Sequence, residues 1–253
     1  STTGRLITSN RTNENFKVDG QFDETYSVLA TVDNTISDDG VYGTHLGTFA
    51  GFPDDMFVVL PGDAIPSVAM NADGSFVLTW THLESLDGNP DVHAQLFDNL
   101  GVAEANPFVV NTTLAGDQVD SVVAMDGSGN FAISWISADK QLDQSDIYVR
   151  LYDSTGTATT SEILVSTQQE TMDFEHSLAM NAQGEFVVSW SSITPGNQNG
   201  ADIHAKKYDA TGTSTVNEFL IHESSVGEQV ESSVAIDSQG NFAVAWTNFD
   251  NRR

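Results

Sequence analysis

Cysteine is absent from this 253-residue chain, which excludes disulfides, thiolate metal sites and cysteine nucleophiles. Basic residues are scarce. Nine Lys and Arg stand against 36 Asp and Glu, a net charge of −27, and no Lys or Arg occurs between Lys17 and Lys140. Such a surface repels nucleic acid and anionic membrane and attracts cations. No apolar run approaches the roughly 20 residues of a membrane-spanning helix, and the amino terminus lacks a charged-then-apolar signal pattern. We therefore expect no nucleic-acid partner and no membrane insertion. Familiar catalytic signatures are missing too. The histidines (45, 82, 93, 176, 204, 222) form no H-x-x-x-H pair, and neither G-x-S-x-G nor a phosphate-binding glycine loop is present. Among so many carboxylates, spacing alone singles out no glycosidase pair.

What is present is a repeat. "SVAMNADGSFVLTW", "SVVAMDGSGNFAISW", "HSLAMNAQGEFVVSW" and "SSVAIDSQGNFAVAW" end in Trp80, Trp135, Trp190 and Trp246, which are 55, 55 and 56 residues apart. A fixed period of this length means an array of one supersecondary unit. Within it the pattern is period two: Phe76, Leu78 and Trp80 share one strand face, as do Phe131, Ile133 and Trp135. Four strands fit each unit. Strand A is "SVAM", strand B "FVLTW", strand C "DVHAQLF" and strand D "PFVVN". Glycine-bearing turns join A to B and C to D.

Four antiparallel strands in about 50 residues describe a β-propeller blade, whereas an immunoglobulin-like sandwich needs about 100 residues and seven strands. The fold expected is therefore all-β, a single propeller of four-stranded blades. The blade-like repeats span 16–63, 64–118, 119–173, 174–229 and a partial 230–253, about five in all. Both ends fall inside a blade. Either a D-like strand at "RLITSN" completes the last blade, or the chain is a piece of a longer array, which the abrupt carboxyl end favours.

An up-and-down meander places the A–B and C–D turns on one face and the B–C and D–A loops on the other. The turn face is uniform, and turn geometry explains it. The loop face varies in length and sequence, as binding surfaces on repeat scaffolds do. Just before strand A stand Asp120, Glu175 and Glu231, where the first copy has Ile65, and strand A lines the centre of a propeller. The B–C loops end in Asp91, Asp146 and Asp202, with Asp87 and Asp143 a few residues earlier. Hard oxygen ligands in this number suit calcium. Asp87, Asp91, Asp143 and Asp146 form the first candidate set, and the ring of Asp120, Glu175 and Glu231 the second. Turn capping is the competing explanation.

The line "SVAIDSQGNFAVAW", followed by the strand and turn type "DIHAKKYDATG", resembles the blade consensus of NHL-type propellers. Over residues 64–247 the chain looks still more like the roughly 55-residue tandem repeats of large secreted bacterial proteins, often RTX-type calcium-dependent adhesins. The second resemblance implies an extracellular or cell-surface setting, bound calcium and a role in adhesion. The leading expectation is thus a non-enzymatic, calcium-binding recognition module whose partner is a glycan or protein, with self-assembly as a further option. The alternatives are a secreted carbohydrate-active hydrolase or lyase using channel-mouth carboxylates, and a structural spacer.

Overall fold

The structure is a computed structural model, and it describes residues 32–36, 42–46, 63–83, 88–113, 115–139, 144–168, 170–194, 196, 200–222 and 227–249. Every regular element among them is a strand. Strands β1 (Val32–Ile36) and β2 (Tyr42–Leu46) form an antiparallel pair. The first complete blade is β3 (Asp63–Met70), β4 (Phe76–His82), β5 (Asp91–Phe97) and β6 (Phe108–Val109), paired in that order. The second is β7 (Asp117–Met125), β8 (Phe131–Asp139), β9 (Gln144–Tyr152) and β10 (Ile163–Leu164). The third is β11 (Met172–Met180), β12 (Phe186–Ile193), β13 (Asp202–Tyr208) and β14 (Ser214–Leu220). Strands β15 (Glu228–Ile236) and β16 (Phe242–Phe249) begin a fourth. Within each blade all pairing is antiparallel, and a single parallel pair, Met172 with Ser145, joins the second blade to the third. The pairing does not close into a ring among the described residues.

The period-two pattern explains why blades stack. Each sheet has two apolar faces, and neither suffices alone to exclude water. Val77, Val92 and Leu96 of the first blade meet Val123, Phe131, Ile133 and Trp135 of the second in one core. The opposite face of the second blade, with Ile136, Ile147 and Val149, meets Leu178, Phe186, Val188 and Trp190 of the third. Aromatic pairs recur at the same register: Phe76 on Phe97, Phe131 on Tyr152 and Phe186 on Tyr208, stacked at 4.8, 5.1 and 4.7 Å. Trp135 and Trp190 are 1% and 0% exposed, while Trp246, on the two-stranded fourth unit, is 37% exposed. Equivalent sequence positions therefore differ in burial with the sheet around them.

Strand A is longer than the repeat suggests. It starts at Asp63, Asp117, Met172 and Glu228, and it takes in the acids expected to precede it. Each copy bulges there, between Ala64 and Ser67, Val119 and Val122, Phe174 and Ser177, and Val230 and Ser233. The bulge holds Ile65, Asp120, Glu175 and Glu231 at φ of 53°, 56°, 50° and 57°, a left-handed conformation that costs a residue with a side chain free energy. The A–B turns use glycine where the same conformation is needed. Gly184 has φ 84°, and a Cβ there would lie 2.9 Å from that of Ala210.

Candidate functional site

Carboxylates at the turns and carboxylates between the blades include members shifted in opposite directions. On the turn face, Asp73, Asp153, Asp209 and Asp237 accept hydrogen bonds from side chains and backbone N–H groups two to four residues on. Those bonds, led by the side-chain donors, hold all four below the ordinary carboxylate range. Glu185, beside the Asn181 amide and Lys207, is lowered as well. These acids are ionised and serve their turns. On the loop face, burial pushes Asp120, Asp146 and Asp173 upward instead. A carboxyl kept from full ionisation by its surroundings is the raw material of acid–base chemistry.

Asp146 and Asp173 lie where the repeat departs from its own pattern, at the junction of the second and third blades. In the second blade, Trp135 donates its indole N–H to Gln118 Oε1 at 2.9 Å, and Trp246 does the same to Gln229. Asp173 occupies the corresponding place in the third blade. It is one methylene shorter; the Trp190 N–H is left without a hydrogen bond, and the Asp173 carboxylate has the hydroxyls of Ser192, Ser166 and Thr171 near it, none in close hydrogen-bond geometry. Asp173 is 0% exposed. Its backbone is held firmly, because its N–H donates to Ser145 Oγ at 2.9 Å and its carbonyl accepts from the same hydroxyl at 2.8 Å.

The second departure faces the first. In the first blade the Asn111 amide donates to Asp91 at 2.7 Å while its oxygen accepts the Val92 N–H at 2.9 Å. In the third, His222 Nε2 accepts the Ile203 N–H at 3.2 Å and lies 3.4 Å from Asp202. The second blade has Ser166 there. Its oxygen still accepts the Ile147 N–H, at 3.0 Å, but its hydroxyl acts on Asp173. Asp146 thus lacks the amide or imidazole that its counterparts have. Burial dominates the rise at Asp173; the hydroxyls of Ser192, Ser166 and Thr171 oppose it, and the charge of Asp146 adds to it. Both carboxyls are thus held above the ordinary carboxylate range, and the charge of Asp146 adds to the rise at Asp173. Asp146 is half-buried and at the loop-face end of β9, so it is the more accessible member of the two.

The other residues singled out in sequence fall as follows. Asp87 and Asp143 lie outside the described residues. Asp91 is buried and accepts a hydrogen bond from the Asn111 amide. Asp120 donates its N–H to Thr81 Oγ1 at 3.2 Å. Glu175 accepts the Glu231 N–H, and Glu231 accepts the Thr247 hydroxyl at 2.9 Å. Among the described residues no group of three or more His, Asp or Glu is placed to hold a metal ion. The turn face holds a cavity of about 390 Å³ between Asp126, Asn130, Tyr152, Thr160 and Thr211, and none of its lining residues carries a buried polar atom lacking a partner.

Sequence spacing missed Asp173, Ser166 and His176. The signal was there in the alignment of repeats, where Asp173, like Asp63 in the first copy, stands in the place of Gln118 and Gln229, and His176 replaces Ser121 and Ser232. His176 donates to the Ser134 carbonyl of the neighbouring blade, and burial lowers its pKa to about 4. Two further acids act as clamps between blades. Glu162 accepts the N–H groups of Thr112 and Thr113 and the Thr113 hydroxyl, and Glu218 accepts the N–H and hydroxyl of Thr167.

No protein-family model matches this chain, and no curated protein sequence does. Solved structures do. A Penicillium chrysogenum alpha-L-arabinanase complexed with arabinobiose matches with a TM-score of 0.51 at 7% identity, over 90% of this chain and 77% of the arabinanase. The Hadza microbial sialidase Hz136 matches with a TM-score of 0.50 at 13% identity, over 74% of this chain but only 46% of the sialidase. The likeness supports the β-propeller architecture. It also corrects the leading functional expectation: the neighbours are glycan-cleaving enzymes, which favours the carbohydrate-active alternative over a non-enzymatic adhesion module.

Proposed function

We propose that this chain is a carbohydrate-active hydrolase whose chemistry sits on the loop face at the junction of the second and third blades. The observation that carries the reading is the Asp146–Asp173 pair: two carboxyls raised by burial, at a junction where Asp173 stands in place of the indole-bonding glutamine and Ser166 in place of Asn111 or His222. Glycoside hydrolysis requires one carboxyl that is ionised and one proton source near the scissile bond. Asp146 would act on substrate or its attacking water as the ionised member. Asp173, shut off from solvent, would serve only as a positioning residue beside Asp146, and the leaving oxygen would take its proton from another acid of the loop face. The propeller likeness to an arabinanase and a sialidase supports the same class of substrate.

The test is hydrolysis of a panel of arabinans, other plant and microbial glycans, and sialosides by the wild-type chain and by Asp146→Asn. The expected result is turnover of at least one glycan, reduced on the order of 10²-fold or more in the variant, the usual scale for loss of an acid–base group. Turnover that Asp146→Asn leaves intact would remove this site from the reaction.

A further inference from the structure

We infer that Ser145 is a positioning residue of this site, whose hydroxyl fixes how Asp146 on the second blade stands against the third. Its effect on turnover rests on the hydrolase reading, and its effect on geometry rests on hydrogen bonds. Each junction ties the loop-face start of a strand C to strand A of the next unit. At two junctions the main chain does this unaided. The Pro90 carbonyl accepts the Gln118 N–H at 2.9 Å, and the Ala201 carbonyl accepts the Gln229 N–H at 2.9 Å.

The junction of the second and third blades is tied differently. Ser145 stands where the others have Pro90 and Ala201, directly before Asp146 as they are directly before Asp91 and Asp202. Here the Asp173 N–H donates to the Ser145 hydroxyl at 2.9 Å, and that hydroxyl donates in turn to the Asp173 carbonyl at 2.8 Å. The Ser145 N–H adds a bond to the Thr171 carbonyl at 3.3 Å. One short side chain thus holds both main-chain groups of Asp173. Proline and alanine carry no hydroxyl and cannot make this contact. A link through Oγ spaces two main chains differently from a direct N–H to carbonyl bond, and Met172 pairs in parallel with Ser145 here. Asp146 is the next residue of β9, so the clamp on Ser145 sets its place. Displacing an acid–base group by about 1 Å can cost on the order of 10²-fold in rate.

The experiment compares the wild-type chain with Ser145→Ala and Ser145→Thr. Alanine is the residue of the third blade, where its carbonyl takes the Gln229 N–H, so the alanine variant can keep the fold while losing the hydroxyl clamp. Threonine keeps the hydroxyl and suits a strand. Two readouts are taken: the titration of the Asp146 carboxyl by carbon NMR, and the hydrolysis of arabinan or, failing that, of the fastest-cleaved glycan of the same panel. Asp173 on β11 and Tyr148 on β9 are in electrostatic contact with Asp146, and Lys140 and Asp143 stand in the adjoining loop, outside the described residues. These groups are the same in all three proteins, so a difference between alanine and threonine reports the hydroxyl. Ser145→Ala should shift the Asp146 titration and lower kcat about tenfold with KM little changed, and Ser145→Thr should restore both. An unshifted titration with wild-type kcat in Ser145→Ala, or equal losses in the two variants, would overturn the inference. If the wild-type chain cleaves no glycan, the hydrolase reading fails and the titration alone decides: a shift in alanine that threonine reverses upholds the positioning role, and no shift overturns it.

Discussion

Glu175 accepts the backbone N–H of Glu231 through a carboxylate oxygen at 3.0 Å, tying the bulge of the third blade to the bulge of the next unit. A β-bulge releases an N–H from its own ladder, and a released N–H needs a partner. The second blade solves the same problem with Thr81, which accepts the Asp120 N–H. Just past each bulge, side chains reach across the blades: Ser121 donates to Thr79 Oγ1 at 3.1 Å, and Ser232 pairs with Ser189 at 2.9 Å. The bulges are thus the places where one blade's backbone is registered on its neighbour. They also set Asp173 and His176 on the same buried junction.

Asp173→Gln should stabilise the fold. Glutamine at this place bonds the indole in two other units, so the substitution gives the orphaned Trp190 N–H its acceptor and removes a buried carboxyl. A gain of about 1–2 kcal/mol at neutral pH is expected. Because the folded-state pKa of Asp173 is raised, wild-type stability falls as pH rises from the ordinary carboxylate value toward the folded value. The advantage of the glutamine variant should therefore be largest at neutral pH and shrink in acid. Urea unfolding at the two pH values checks this, and a variant less stable than wild type at neutral pH would refute it. If Asp173 positions Asp146, the stabilised variant should also lose turnover.

His176→Ser should flatten the pH dependence of stability on the acid side. The imidazole is buried and neutral, with a folded pKa of about 4 against an ordinary 6.5. The unfolded chain binds its proton first, so this contribution to stability is complete above about 6.5 and is lost as pH falls toward 4. Serine stands at the same place in Ser121 and Ser232 and carries no such titration. Thermal melts across that interval should show a smaller loss in the variant, and equal losses would mean that the histidine is not neutral in the fold.

Tryptophan positions that are equivalent in sequence should not be equivalent in energy. Trp135→Ala, at a fully buried junction, should cost about 3–5 kcal/mol, whereas Trp246→Ala, at 37% exposure, should cost less than half as much. Denaturant unfolding of the two variants measures the difference. Equal costs would indicate that the fourth unit is packed as fully as the second.

Glu162→Gln should loosen the first blade from the second. Burial alone would raise the Glu162 pKa, but the N–H of Thr112, together with the hydroxyl and N–H of Thr113, outweighs it and lowers the value. Stability from this clamp is present above the ordinary glutamate pKa and is lost as pH falls through the lower folded value. The variant should lose about 1 kcal/mol at neutral pH, a figure kept small by solvent exposure. The difference should vanish in strong acid. Hydrogen exchange of the Thr112 and Thr113 amides gives a local readout of the same bond.

The repeat written in the chain was enough to place the strands and turns of the described blades. Period-two alternation and glycine-marked turns are local properties, and each 55-residue unit carries them independently of its neighbours. The same alignment placed Asp120, Glu175 and Glu231 at equivalent points, and they are equivalent, each at a bulge. Only the tertiary structure decided which acids matter. Asp146 and Asp173 are 27 positions apart in the chain and belong to different units, and they meet because β9 and β11 pair at Ser145 and Met172. Their raised pKa values follow from burial between stacked blades, which no single strand possesses. Glutamine bonds the indole in the second and fourth units, whereas in the third the aspartate leaves the Trp190 N–H unpaired, a difference that only the packed blades reveal.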